Sequence, residues 1–237
     1  MAQPGREGPF AEASCLTLLN SRTMLRALTL SIAFVVAAFV VAHPAGAQSL
    51  RDLLFDAIKA GDYAETARLV KAGIHYTARN AEGESPLMAA AENARLDMVK
   101  LLLANGADVA ARSSNGESAL HAAALHADAE ITRLLLQSGA QADLLNRNGE
   151  SPLFWASLTG SIDVVKLLVE RGAQINRVDA KGNSVLHAAA ADGHLSVIAY
   201  LLERKANRSV RNKAGERPVD MATARGQDAA VKLLSRR

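Results

Sequence analysis

His121 and His187 are the residues whose type most invites a chemical role, because a neutral imidazole ligates metals and carries protons near pH 7. They lie 66 residues apart. The sequence pattern repeats every 33 residues, so the two rings belong two structural layers apart, at least ~16 Å if packed helices sit about 8–10 Å from each other. Metal–imidazole bonds of about 2 Å cannot bridge that gap. His126 and His194 have no Asp or Cys cluster in register with them. The chain has one cysteine, Cys15, which excludes an intramolecular disulfide framework and a cysteine-rich metal site. No P-loop, nucleophile elbow or His-Glu-x-x-His motif occurs. The expectation is therefore no catalytic residue, no metal and no cofactor.

The elements that would hold such residues follow from composition and periodicity. Of 237 residues, 49% are hydrophobic and 22% charged, which excludes a disordered chain. Only 4% are aromatic, and the apolar content is mostly Ala and Leu, which suits closely packed helices better than a β-sandwich or barrel. Gly83, Gly116, Gly149, Gly182 and Gly215 stand 33 residues apart and open the segments GESPLMAAA, GESALHAAA, GESPLFWAS, GNSVLHAAA and GERPVDMAT. A second column runs in phase with them: MVKLLLANGAD, ITRLLLQSGAQ, VVKLLVERGAQ and VIAYLLERKAN.

Each segment reads as two helices. Ser85, Ser118, Ser151 and Ser184 stand where a hydroxyl caps a helix by accepting from a free backbone N–H, worth ~1 kcal/mol. Pro86, Pro152 and Pro218 take the first helical position, where no N–H is missed. The second helix sets Val99, Leu102 and Leu103 on one stripe, and Gly73, Gly106, Gly139 and Gly172 end such helices in the left-handed conformation. The turn between the helices has Gly61, Gly160, Gly193 and Gly226 but Ala94 and Ala127 in two layers, and Lys205 replaces one helix-ending glycine. Each substitution should cost ~1 kcal/mol if the position is left-handed.

These columns resemble ankyrin repeats, whose opening is Gly-x-Thr-Pro-Leu-His-x-Ala-Ala. Here serine replaces the threonine, and the histidine position holds His121 and His187 but Met88, Phe154 and Asp220 elsewhere. The resemblance implies an all-α repeat solenoid of stacked helix-turn-helix units with short loop or β-hairpin tips. It divides residues 48–237 into an N-terminal cap at 50–82, repeats at 83–115, 116–148, 149–181 and 182–214, and a C-terminal cap at 215–237. Polar outer faces are expected at the two caps, with Asp52, Asp56 and Lys59 at one and Arg225, Lys232 and Arg236 at the other. It also implies that the histidines hydrogen-bond the backbone of neighbouring layers, and that partners bind along loop tips and inner-helix ends. The matching tip positions are Arg79, Glu82, Glu84, Arg112, Asn115, Glu117, Arg147, Glu150 and Lys181. Those at inner-helix ends are Glu92, Asn93, Leu125, His126, Leu158, Thr159 and Asp192. Phe154 and Trp155 read either as core or, for the tryptophan, as a binding anchor.

The first fifty residues differ from the rest. Residues 27–42 form an uncharged apolar run, preceded by Arg22 and Arg26 and followed by Ala45-Gly46-Ala47. Basic flank, apolar core and a small-x-small exit make a secretory signal peptide. The run is shorter than the ~20 residues a membrane span needs, so cleavage between Ala47 and Gln48 is expected, with an uncleaved inner-membrane anchor as the alternative. Glu7 and Glu12 do not suit a leader, so translation is expected to start at Met24, with residues 1–23 a non-native extension and 24–47 the signal. The compartment is then the periplasm or the exterior of a bacterium, and the membrane is touched only through the signal.

Charge is uneven. From Gln48 to Glu203 there are 14 Lys/Arg against 19 Asp/Glu; from Arg204 to Arg237 there are 10 against 3. An acidic body and a basic end can steer an oppositely charged partner, while a net charge of +3 gives no reason to expect nucleic acid. The sequence thus reads as a non-enzymatic, monomeric scaffold binding another protein. A protective or regulatory subunit of an exported stress-defence enzyme is one alternative, and an enzyme with an unrecognised site the other.

Overall fold

Short helices are the only regular elements that Ala-rich segments of seven to eleven residues between glycines can build, and twelve of them follow one another in the computed structural model, which describes residues 49–74 and 78–236. They are α1 (Leu50–Ala60), α2 (Tyr63–Lys71), α3 (Pro86–Glu92), α4 (Leu96–Ala104), α5 (Ala119–Leu125) and α6 (Ala129–Gln137), then α7 (Pro152–Thr159), α8 (Ile162–Glu170), α9 (Val185–Ala191), α10 (Leu195–Glu203), α11 (Pro218–Ala224) and α12 (Asp228–Ser235). Odd and even helices pair into six layers. The chain divides into two units, 1–47 and 48–237, and every helix named belongs to the second. The proposed extension, signal and cleavage point at Ala47/Gln48 lie outside the described residues.

Each odd helix packs on its own partner and on the odd helices of the layers before and after; the even helices touch one another less. The reason is size. Ala89 to Ala91, Ala123, Ala124 and Ala188 to Ala191 are buried, and their methyl groups let the odd helices approach closely. Leu54, Leu87, Leu120, Leu153 and Leu186 fill the spaces between layers, and Met98, Leu102, Leu135, Leu168 and Leu201 seal the even helices onto them. No single layer buries these faces alone, so the stack is the folding unit.

The tips are tied layer to layer by the backbone. Ser114, Arg147, Ala180 and Lys213 donate N–H bonds to the carbonyls of Glu82, Asn115, Asn148 and Lys181 at 2.7–3.0 Å. Among the described residues the tips are turns, and the hairpin character the resemblance implies is reduced to one antiparallel bridge between Val178 and Ser184. The left-handed turns are as the glycine columns require, and Ala94, Ala127 and Lys205 adopt them too, at φ 52°, 58° and 64°.

The capping serines divide into two kinds, which the sequence reading did not separate. Ser85 and Ser151 accept from the N–H groups of Met88 and Phe154 at 3.3 and 3.2 Å. In the histidine layers the hydroxyls of Ser118 and Ser184 instead meet Nδ1 of His121 and His187 at 3.0 and 2.9 Å. The same nitrogens accept from the serine backbone N–H groups at 3.1 and 3.0 Å. A ring three residues into the helix reaches back to the cap and takes the hydroxyl from the backbone.

Candidate functional site

The two histidines are structural in their contacts. Since Nδ1 accepts from the serine N–H, the proton sits on Nε2, which donates to the next layer's backbone: His121 to the Glu150 carbonyl at 3.2 Å and His187 to the Glu216 carbonyl at 2.9 Å. Burial holds the pKa of His121 down to about 4 and that of His187 below its ordinary value, so both are neutral at pH 7. Among the described residues no group of three or more His, Cys, Asp or Glu side chains could hold a metal ion. No described helix is long and apolar enough to cross a membrane.

The tip candidates behave differently from one another. Arg112 is committed to the fold, since its guanidinium donates to the carbonyls of Gly116 and Leu145. Arg79 donates to the Ala78 carbonyl. Asn93 caps α3 by donating to the Ala89 carbonyl, and Thr159 does the same on α7 with Ala156. Asp192 pairs with Arg225 at 3.0 Å, and the Asn115 carbonyl accepts from Arg147 N–H. Glu82, Arg147 and Lys181 are exposed. At the stack's basic end Arg217 pairs with Asp220 at 2.8 Å, holding that carboxyl below its ordinary pKa, while Arg204 keeps its charge and lies over the Tyr200 ring.

Glu84, Glu92, Glu117, Leu125 and His126 converge. Together with Met88, Ser118, Ala122 and Trp155 they line a depression of about 90 Å³ on the odd-helix face of the second to fourth layers. Met88, Ala122, Leu125 and Trp155 give it an apolar portion beside the carboxylates. Leu125 is 39% exposed, as is Leu158 at the same position of the following layer, so the apolar strip continues beyond the depression. Trp155 is half-buried: it stands edge-on to His121 at 5.7 Å on one side and walls the depression on the other. Its indole N–H donates to the Glu150 carboxylate at 3.0 Å.

The carboxylates on the rim are not equivalent, and the cause is a column four residues upstream: Asn80, Ser113, Asn146, Asp179 and Asn212. Asn80 and Asn146 use the side-chain oxygen to bind tip N–H groups and the amide to hold the carboxylates of Glu84 and Glu150, each at 2.8 Å. Ser113 keeps only the first task, with its hydroxyl accepting from the N–H groups of Asn115 and Glu117 at 3.2 Å. It has no amide to offer. The Glu117 carboxylate consequently has no hydrogen-bond partner among the described residues, and burial, reinforced by the charges of Glu84, Glu150 and Glu92, raises its pKa. Glu117 stands among the tip candidates of the sequence with nothing to set it apart from Glu84 and Glu150; the broken column that singles it out is legible at Ser113, while Met88 and Ala122 are not among those candidates.

A family model described as ankyrin repeats in three copies matches residues 35–113, 105–179 and 172–237. The chain belongs to the ankyrin repeat family. Ankyrin repeats generally mediate binding to other proteins, so the stack is an interaction module. The first match reaches back to residue 35, into the stretch read above as the end of the export signal. No curated protein matches the chain.

Proposed function

We propose that this ankyrin stack is an exported, non-enzymatic scaffold that works as a monomer. Its protein partner lies across the tips and odd-helix ends of the second to fourth layers. The observation that carries this reading is the depression itself: residues from three layers line one hollow that joins apolar side chains to carboxylates, and one of those carboxylates lacks a partner among the described residues. Apolar surface supplies affinity, whereas rim charge governs encounter rate and specificity. Export is supported by the apolar run 27–42 with its basic flank and Ala45-Gly46-Ala47 exit, a pattern that fits a signal peptide of a bacterium.

The test replaces Glu84, Glu117 and Glu150 together by Gln. The partner, captured by the tagged chain from the periplasmic fraction of the source cells, should bind the variant more slowly at low salt. Thermal stability should move little, because Gln keeps a side-chain oxygen that can accept from the Asn80 and Asn146 amides and the change removes like charges crowded around Glu117. Unchanged association rates at low ionic strength would move the interface to the basic end beyond Arg204. The recovered chain should begin at Gln48 and be soluble; a membrane-bound chain starting at Met24 would replace export with anchoring.

A further inference from the structure

We infer that the occupant of this groove is an extended basic segment in the polyproline-II conformation, with Lys or Arg at every third residue. The inference rests on the proposal that the odd-helix face of the second to fourth layers is the binding surface, and adds what binds there.

Two independent features of the groove lead to it. The first is charge. Glu84, Glu117 and Glu150 recur at one repeat position, Glu84, Glu92 and Glu117 line the depression, and the Glu117 carboxylate has no partner among the described residues. Arg112, at the end of the preceding repeat, is tied to the carbonyls of Gly116 and Leu145, and the charges acting on Glu117 are the carboxylates of Glu84, Glu150 and Glu92, with no Lys or Arg among them. A cation must therefore come from the ligand. The second is the unpartnered apolar strip of Leu125 and Leu158 beside the half-exposed Trp155. That strip suits a ligand that is apolar between its charges: proline rings, or the aliphatic stems of Lys and Arg, with an indole face for a guanidinium.

Pitch chooses the conformation. Carboxylates at one repeat position recur once per layer, about 8–10 Å for packed helices. A polyproline-II segment has 3 residues per turn and rises about 3.1 Å per residue, so every third side chain returns to the same face after ~9.3 Å. In a β-strand the third residue points to the opposite face, and same-face neighbours are about 6.6–6.8 Å apart. An α-helix returns side chains to one face after three or four residues, about 4.5–6 Å along its axis, which is shorter than one layer.

Trp155 is the chain's single tryptophan and lines the depression, so its fluorescence is a local probe of this groove. The full chain is titrated with three 12-residue peptides: Arg-Pro-Pro repeated, the same composition with the arginines clustered at one end, and Glu-Pro-Pro repeated. The in-register basic peptide should shift Trp155 emission, bind about tenfold tighter than the clustered one, and weaken with added salt. Glu117→Gln should weaken it several-fold, while Glu203→Gln, on an even helix, should leave it unchanged. Equal affinity for the two basic peptides, indifference to Glu117→Gln, or a response to the acidic peptide alone would overturn the inference. Should the captured protein partner still lose association rate in the triple glutamine variant while no basic peptide binds, the face is right and the occupant wrong. Should neither respond, both fall.

Discussion

Gly160→Ala should be among the costliest methyl additions in this protein, by an amount that depends on a residue one layer away. Gly160 has φ 76°, where a Cβ costs ~1 kcal/mol. The added carbon would lie 2.3 Å from Nδ1 of His194 and 2.6 Å from two further ring atoms. The ring must then swing away, breaking the contact of its Nε2 with the Leu158 carbonyl at 2.9 Å, which adds ~1 kcal/mol. The total is roughly 2 kcal/mol, of which only the backbone part should remain in a His194→Ser background. The sequence contains the precedent. Arg95, His194 and Gln227 fold over Gly61, Gly160 and Gly193. Where the turn is Ala94 or Ala127, the residue at the corresponding position of the next layer is the shorter Asp128 or Ser161. Urea unfolding followed by far-ultraviolet circular dichroism on the two single variants and the double would measure the coupling, expected near 1 kcal/mol. Strict additivity would refute the inter-layer explanation and leave only backbone strain. Ala127→Gly, relieving strain with no ring to accommodate, should gain up to ~1 kcal/mol.

Two further outcomes follow from buried polar groups. Thr132 is fully buried on α6 and its hydroxyl has no partner, while the same repeat position holds Val99, Val165 and Val231; Thr132→Val should raise stability by about 1–2 kcal/mol in a denaturant melt, and a loss would mean the hydroxyl is satisfied after all. His121 titrates about 6.5 when unfolded and about 4 when folded. The unfolded chain therefore binds the extra proton between those values, and stability is complete above pH 6.5 and drains away as pH falls toward 4. The full effect is on the order of 3 kcal/mol, with roughly 2 kcal/mol gone by pH 5. A His121→Gln variant should show a flatter stability profile between pH 7 and 5, and an NMR titration placing His121 near 6.5 in the folded chain would contradict the burial argument.

The architecture was legible in the sequence because a repeat states each structural requirement several times. Left-handed turns appear as glycine columns, odd-helix proximity as alanine columns, and the layer interior as leucine columns, so a reading of one layer is checked by the next. The details that escaped depend on where side chains point. That Ser118 gives its hydroxyl to His121 instead of the backbone follows from the ring's tautomer and rotamer, and no spacing rule separates it from Ser85. Arg112 and Arg79 share a position and looked equally available, yet Arg112 reaches across to the Leu145 carbonyl of the following layer. The depression escaped for a similar reason: its lining comes from three layers, and in the sequence Met88 stands only as an occupant of the histidine position and Ala122 as a member of an alanine column.

Columns that agree and columns that break carry different information. Six identical layers would stack well, but every stretch of their surface would look alike, and a partner would have no reason to bind at one register over another. Specificity is a difference in free energy between alternatives, so it has to come from positions where the layers differ. On the odd-helix face those positions gather in one place. Ser113 interrupts an otherwise asparagine- or aspartate-bearing column and leaves Glu117 without a clamp. Leu125 and Leu158 stand where the neighbouring layers have Glu92 and Ala191. Trp155 stands where other layers have alanine or methionine. The first two of these differences cost stability: Glu117 is crowded by like charges, and two leucines are left partly in water. Local features that cost stability and coincide in space are what a recognition surface requires, and this coincidence, more than membership of a binding family, fixes the second to fourth layers as the place to test.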